Sequence, residues 1–299
     1  MEKVRPLDQL SLKTKLLYSK LLALMVMADK DIDQLKLAAL YRLIGRLKLT
    51  SLKRQELLQF IYNGGEGLKE LKEQVYQGLN DQEKNIVRFS LYKDLLILMR
   101  ANYIELPEEA GLLAEVEEVF EITEEHKVFF EEELLQDKDF YVAKEKECIG
   151  VATDEAIAAA MALGIPLAAI YYNGYLGGMG CINLITGLHA LGKKLSKRHS
   201  ILAGLGITIS LGLLSYKGTQ YLLGIKDRSC CNLQKMLAEE MEKIHQLAID
   251  YIEKDILYIE SRELNYAKEN NIDEKNSGVL LLALKKAEAT LRNTEALVL

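Results

Sequence analysis

Residues 21–50 read LLALMVMADKDIDQLKLAALYRLIGRLKLT. Two apolar runs meet at a polar corner, DKDID (29–33). Upstream, SLKTKLLYSKLLALMVMA (11–28) sets Leu16, Leu17, Leu21, Leu24 and Met25 at helical spacing behind Ser11, a capping residue. Downstream, QLKLAALYRLIGRLKL forms a second helix, with Asp31 or Asp33 as its cap. Thr50 or Ser51 opens a third, LKRQELLQFIYN, which stops at Gly64-Gly65. The rest of the chain has the same character. Three prolines in 299 residues (Pro6, Pro107, Pro166), no Trp and 49% hydrophobic residues favour an all-α protein with a substantial core.

The pattern recurs. LYSKLLALM (17–25) aligns with LYKDLLILM (91–99), an offset of 74. RLKLT (46–50) aligns with VFEIT (119–123), an offset of 73. Between them, YIELPEE stands where DKDID stood, each at a helix-to-helix corner. A tandem helical duplication is expected. Residues 124–146 are strongly acidic and read as a solvated helix face, with Phe129, Phe130, Phe140 and Tyr141 turned inward.

The first 150 residues resemble the TerB-like family, a helical domain named after bacterial tellurite-resistance loci. Residues 21–50 carry the likeness: an apolar helix ending in Ala28-Asp29, a polar turn with Ile32-Asp33, then another apolar helix. The duplication fits, since that family is built from repeated helical units. The chain departs from the pattern at Lys30 and Asp31, where the turn glycine is usual. The second corner lacks the aspartates. The glycine-rich stretch GIPLAAIYY (164–172) is similar to ones carried by bacterial proteins with TerB-like domains in stress-response and phage-defence gene clusters. The resemblance implies a complex-forming or membrane-linked protein.

The middle of the chain differs sharply from both flanks. Residues 156–226 contain no acidic residue and hold twelve of the twenty glycines. Residues 156–192 carry no charge over 37 positions. A basic cluster, KKLSKRH (193–199), follows, and then another charge-free run, 200–216. After 227, MLAEEMEKIHQLAIDYIEKDILYIESRELNYAKE (236–269) reads as one amphipathic helix. Its stripe is Ile244, Leu247, Ala248, Tyr251, Ile252, Ile256 and Ile259. NNIDEKNSG (270–278) reads as a turn, and VLLLALKKAEATLRNTEALVL as a last helix. The expected organisation is therefore a TerB-like helical domain (1–150), a glycine-rich apolar hairpin region (151–226) and C-terminal amphipathic helices (227–299).

Charge follows the same division. Residues 1–150 hold 22 basic and 28 acidic side chains, residues 151–226 hold 6 and 2, and residues 227–299 hold 10 and 14. A net charge of −6 argues against a sequence-independent grip on nucleic acid. Cys148, Cys181, Cys230 and Cys231 form neither a disulfide framework nor a zinc pair, so reduced cysteines are expected. With no apolar signal core in MEKVRPLDQLSLKTK, the expected location is cytoplasmic, associated with the inner membrane.

Few residues invite chemistry. Asp29, Asp31 and Asp33 stand at positions one, three and five of a calcium-loop spacing. Position six is Gln34 and position twelve Leu40, so helix capping is the favoured reading and no metal is expected. GYLGGMG (174–180) lacks the preceding strand and the lysine of a phosphate loop. Gly174 and Gly178 make a GxxxG step instead. Gly174, Gly177, Gly178, Gly180, Gly204 and Gly206 are accordingly assigned to close helix packing. Lys193, Lys194, Lys197 and Arg198 are assigned to a membrane-surface loop. None of His126, His189, His199 and His245 has a ligand or catalytic spacing, and His126, among glutamates, reads as solvated. No cofactor is expected.

As one helix, 37 residues would extend about 55 Å, well beyond a hydrocarbon core of about 30 Å. A bend near Asn173–Gly180 resolves this. Two hairpins, 156–192 and 200–226, keep both acidic flanks on the cytoplasmic side, with Lys217 and Lys226 snorkelling. The expected function is a non-enzymatic stress-response or antiphage component. Its first domain docks a protein partner and its middle acts at the inner membrane. The alternative is a soluble scaffold whose glycines pack a homo-oligomer or partner helices.

Overall fold

The computed structural model describes residues 7–28, 32–102, 104, 106–128, 130, 230–269 and 274–293. Among these residues there is no strand. After a single 3-10 turn (Leu7–Gln9) come α1 (Leu12–Met27), α2 (Gln34–Leu47), α3 (Ser51–Asn63), α4 (Leu68–Tyr76), α5 (Asp81–Met99) and α6 (Pro107–Val119). The C-terminal part contributes α7 (Cys230–Glu269) and α8 (Glu274–Asn293).

α1 lies at the centre. Apolar residues run almost all round it, and Leu16, Leu17, Tyr18, Leu21, Leu22, Met25 and Val26 are all buried. A helix with no polar face must be covered on every side. α2, α3, α4 and α5 supply that cover. α5 is nearly as deeply placed, with Ile86, Val87, Phe89, Leu91, Tyr92, Leu95, Leu96 and Leu98 buried.

The corners follow local chemistry. Ser11 accepts the Thr14 N–H at 3.1 Å and starts α1. Asp33 starts α2 by accepting the Leu35 and Lys36 N–H groups at 2.8 and 3.0 Å through one oxygen. Thr50 is the N-cap residue of α3, and Gly64 closes that helix at φ 69° with its N–H on the Phe60 carbonyl. Asn80 and Glu83 form a reciprocal capping box on α5. Pro107 takes the first position of α6, where its missing N–H costs nothing.

The offset of 73 residues carries through to the backbone. α2 ends with Lys48 in the left-handed region at φ 53°, its N–H on the Gly45 carbonyl and the Leu49 N–H on that of Ile44. α6 ends with Glu121 at φ 56°, its N–H on the Glu118 carbonyl and the Ile122 N–H on that of Glu117. Both are Schellman turns built without glycine. The equivalence continues: Asp33 and Leu106 are the N-cap positions of α2 and α6, and Thr50 and Thr123 precede the next helical residues.

α7 and α8 form a hairpin laid over α2. Ala248, Ile249, Ile252, Ile256 and Ile259 of α7 and Leu280, Leu284, Ala287 and Leu291 of α8 are buried, in a single core shared with α1–α6. The α7 stripe is where periodicity put it. α8 starts earlier than the turn reading of 270–278, at Glu274. Gly45 of α2 allows the close approach. A Cβ there would lie 3.6 Å from the Ile244 carbonyl oxygen and 3.7 Å from the Ala248 nitrogen.

Candidate functional site

Chemistry-bearing side chains gather where α2 meets its neighbours. At the α1–α2–α5 junction the Tyr18 hydroxyl donates to Asp94 Oδ2 at 2.7 Å, and Arg46 Nη2 donates to the same oxygen at 2.7 Å. Asp94 is fully buried, and burial raises its carboxyl above the ordinary range. Burial, with Asp94 adding to it, also pushes the Tyr18 hydroxyl well up. Tyr18 therefore stays a neutral donor.

At the α2–α3–α7 junction the same three residue types meet again. Tyr41 donates to Asp255 Oδ2 at 2.9 Å, and Arg54 Nε lies 3.1 and 3.0 Å from the two carboxylate oxygens. Arg54 Nη1 donates to the Leu49 carbonyl, and its guanidinium carbon sits 3.9 Å from the Tyr251 ring centre. Burial raises Asp255 and Tyr41. A third buried pair, Lys36 with Glu109, joins α2 to α6.

A fourth contact closes the hairpin. Arg42 Nη2 lies 3.2 Å from His245 Nδ1, and the His245 ring also bonds the Leu291 carbonyl of α8. His245 is 5% exposed. Burial, then Arg42, lower its pKa below 6.5.

These are closed arrangements. The tyrosine hydroxyls are donors to carboxylates, those carboxylates are matched to arginines, and the groups lie inside the helix junctions. Their chemistry is cohesion: each cluster pins one helix pair in one register. Among the described residues no group of three or more His, Cys, Asp or Glu could hold a metal ion.

The residues singled out by sequence distribute as follows. Asp33 is a helix cap, with its Oδ1 committed to two backbone N–H groups. Asp29 and Asp31 lie outside the described residues. So do Gly174, Gly177, Gly178, Gly180, Gly204 and Gly206, and Lys193, Lys194, Lys197 and Arg198. His126 differs from its solvated reading: it is 7% exposed, accepts the Thr123 N–H on Nδ1 at 3.1 Å and packs edge-on against Phe89. Two acids before it and a lysine after it masked a position facing the core. Phe130 is inward, as its apolar character required.

No family model, no curated protein and no solved structure matches the chain.

Among the described residues no helix is long and apolar enough to cross a membrane.

Sequence reasoning missed Lys36, Asp94, Glu109 and Asp255. The signal was present. Lys36 is in register with Leu40, Leu43 and Leu47, and Asp255 with Ala248, Ile252 and Ile259. A charge on the apolar stripe of a helix needs a buried partner.

Proposed function

We propose that this chain is a non-enzymatic component of a bacterial stress-response or antiphage system. Its helical body docks a partner protein, and its glycine-rich middle segment, 151–226, works at the inner membrane. One observation carries the reading. Residues up to Phe130 and from Ala248 onward contribute to one core, so the chain on both sides of the intervening stretch is anchored in the same body. The body is thus a base that holds both ends of a stretch containing 37 consecutive uncharged residues. A helical base with its buried charges matched to one another suits a carrier more than a catalyst. The TerB-like likeness of residues 21–50 supports the biological setting.

The test uses the full-length chain and vesicles of phosphatidylethanolamine and phosphatidylglycerol. The wild-type protein is expected to float with the vesicles. The double variant Ile170→Asp, Leu184→Asp is expected to stay at the bottom of the gradient with an unchanged Tm. A wild-type chain that stays at the bottom and runs as a monodisperse detergent-free oligomer overturns the membrane role and favours the soluble scaffold.

A further inference from the structure

The α7–α8 hairpin is fastened to α2 at two places of different chemistry. Asp255 with Arg54 and Tyr41 is one. His245 is the other, and it touches all three helices: it belongs to α7, its Nδ1 faces Arg42 of α2, and its ring bonds the Leu291 carbonyl of α8.

Arginine is a donor at every nitrogen and stays protonated. Nδ1, 3.2 Å from Arg42 Nη2, must therefore be the acceptor in that contact. A main-chain carbonyl accepts only, so the ring proton sits on Nε2 and points at Leu291. The contact accordingly exists for one form of the imidazole, the neutral Nε2–H tautomer. Adding a proton to Nδ1 turns the pair into two donors and two positive charges about 3 Å apart, in a part-buried place where water screens them less than at the surface. Arg42 has little else to hold it: its Nε is buried with no hydrogen-bond partner among the described residues.

The surroundings do not reverse this. From α2 the facing charge is Arg42. On α7 itself it is Glu242, one turn back, whose attraction is smaller than the combined effect of burial and Arg42. From α8 the facing group is the Leu291 carbonyl, which favours the protonated ring but by less than burial and Arg42 oppose it. The neighbouring Arg292 is engaged by Glu253 and Glu288.

We propose that His245 is a pH-sensitive fastener of the C-terminal hairpin: neutral, it joins α2, α7 and α8, and protonated, it releases α7–α8 from α2. The direction follows from linkage. A histidine held below its free value of 6.5 binds its proton more readily once the hairpin is open. Opening is therefore favoured as pH falls below 6.5, by up to about tenfold for each pH unit until the docked value is passed.

The experiment measures amide hydrogen exchange in α8 of the full-length chain between pH 7.5 and 5.5, corrected for intrinsic rate. In the wild type, protection of Leu280–Leu291 is expected to fall several-fold toward pH 5.5, while α5 protection stays level. His245→Gln supplies an amide oxygen for Arg42 and an N–H for Leu291 without titrating. It is expected to dock at both pH values and lose the dependence. An unchanged wild-type α8, or a glutamine variant that keeps the wild-type pH profile, overturns the proposal. Should the glutamine variant not fold, an NMR titration of the wild-type His245 ring decides: a pKa at or above 6.5 overturns it, and one below supports it.

Discussion

Lys36 and Glu109 are paired with each other, both side chains fully buried, and they hold equivalent positions in the two halves of the N-terminal bundle. Each is the third residue of its helix, counted from the Asp33 and Leu106 caps. Positions 73 residues apart, at matching places in α2 and α6, thus meet directly, and α1 packs on α5, the helix that carries its matching motif.

That placement makes the pair exchangeable. Lys36→Glu or Glu109→Lys alone sets like charges together in the core, and each is expected to cost at least about 3–5 kcal/mol. The double swap rebuilds the pair with its ends reversed and should regain most of the loss. Urea denaturation of the three variants checks it. A double variant no more stable than the singles would show that the two positions are not equivalent.

Asp94 is held by Tyr18 and Arg46. Asp94→Leu takes the paired carboxylate away from a buried guanidinium and is expected to cost about 3–5 kcal/mol. Adding Arg46→Met removes the buried charge that lost its carboxylate, so the double variant should be more stable than Asp94→Leu alone. Tyr18→Phe, which deletes one bond to a charged group, should cost about 1.5–3 kcal/mol. Thermal unfolding of the set measures the coupling. Additive losses would mean that the cluster does not act as a unit.

Asp255 fastens the hairpin from the other side. Asp255→Ala is expected to raise amide exchange in α8 while α5 keeps its protection. The pH behaviour differs from that of His245. Burial raises the Asp255 carboxyl, so its contribution is fully present below 3.8 and falls away as pH rises through its raised value. Acidification from neutral pH therefore does not loosen this contact. Asp255→Asn should keep the wild-type loosening of α8 between pH 7.5 and 5.5, and loss of that slope would assign it to the aspartate.

Gly45 sits against the α7 backbone with just enough room for a methyl group: the nearest contacts to an added Cβ are 3.6–3.9 Å. Gly45→Ala is expected to stabilise the protein by about 0.5–1 kcal/mol through helix propensity. Gly45→Leu has no such space and should displace α7, detected as rapid proteolysis of the C-terminal helices. An alanine variant that unfolds earlier than wild type would show the approach to be tighter than the backbone indicates.

Much of the fold was legible because it depends on neighbours in sequence. Ser11, Asp33, Thr50 and Gly64 sit where short-range capping chemistry places them, and Ile252, Ile256 and Ile259 follow a period of 3.6. The polar clusters depend on partners far along the chain. Asp255 stands in a helix with several other acids, and its special role comes from Arg54 and Tyr41, roughly two hundred residues away. His126 shows the converse error: its charged neighbours suggested water, but its own position faces Phe89. The left-handed Lys48 and Glu121 turns were equally hidden, since glycine is the usual sign of that conformation and neither turn uses it.

The hairpin laid over α2 also sets a timetable for synthesis. Tyr41 waits for a partner 214 positions later. At about 5–20 residues per second the ribosome takes about 10–40 s to supply it. Throughout that interval Leu40, Tyr41 and Ile44 belong to a chain whose core is unfinished. The nascent protein is then open to whatever else binds an apolar helix, and its last seventy residues decide when that interval ends.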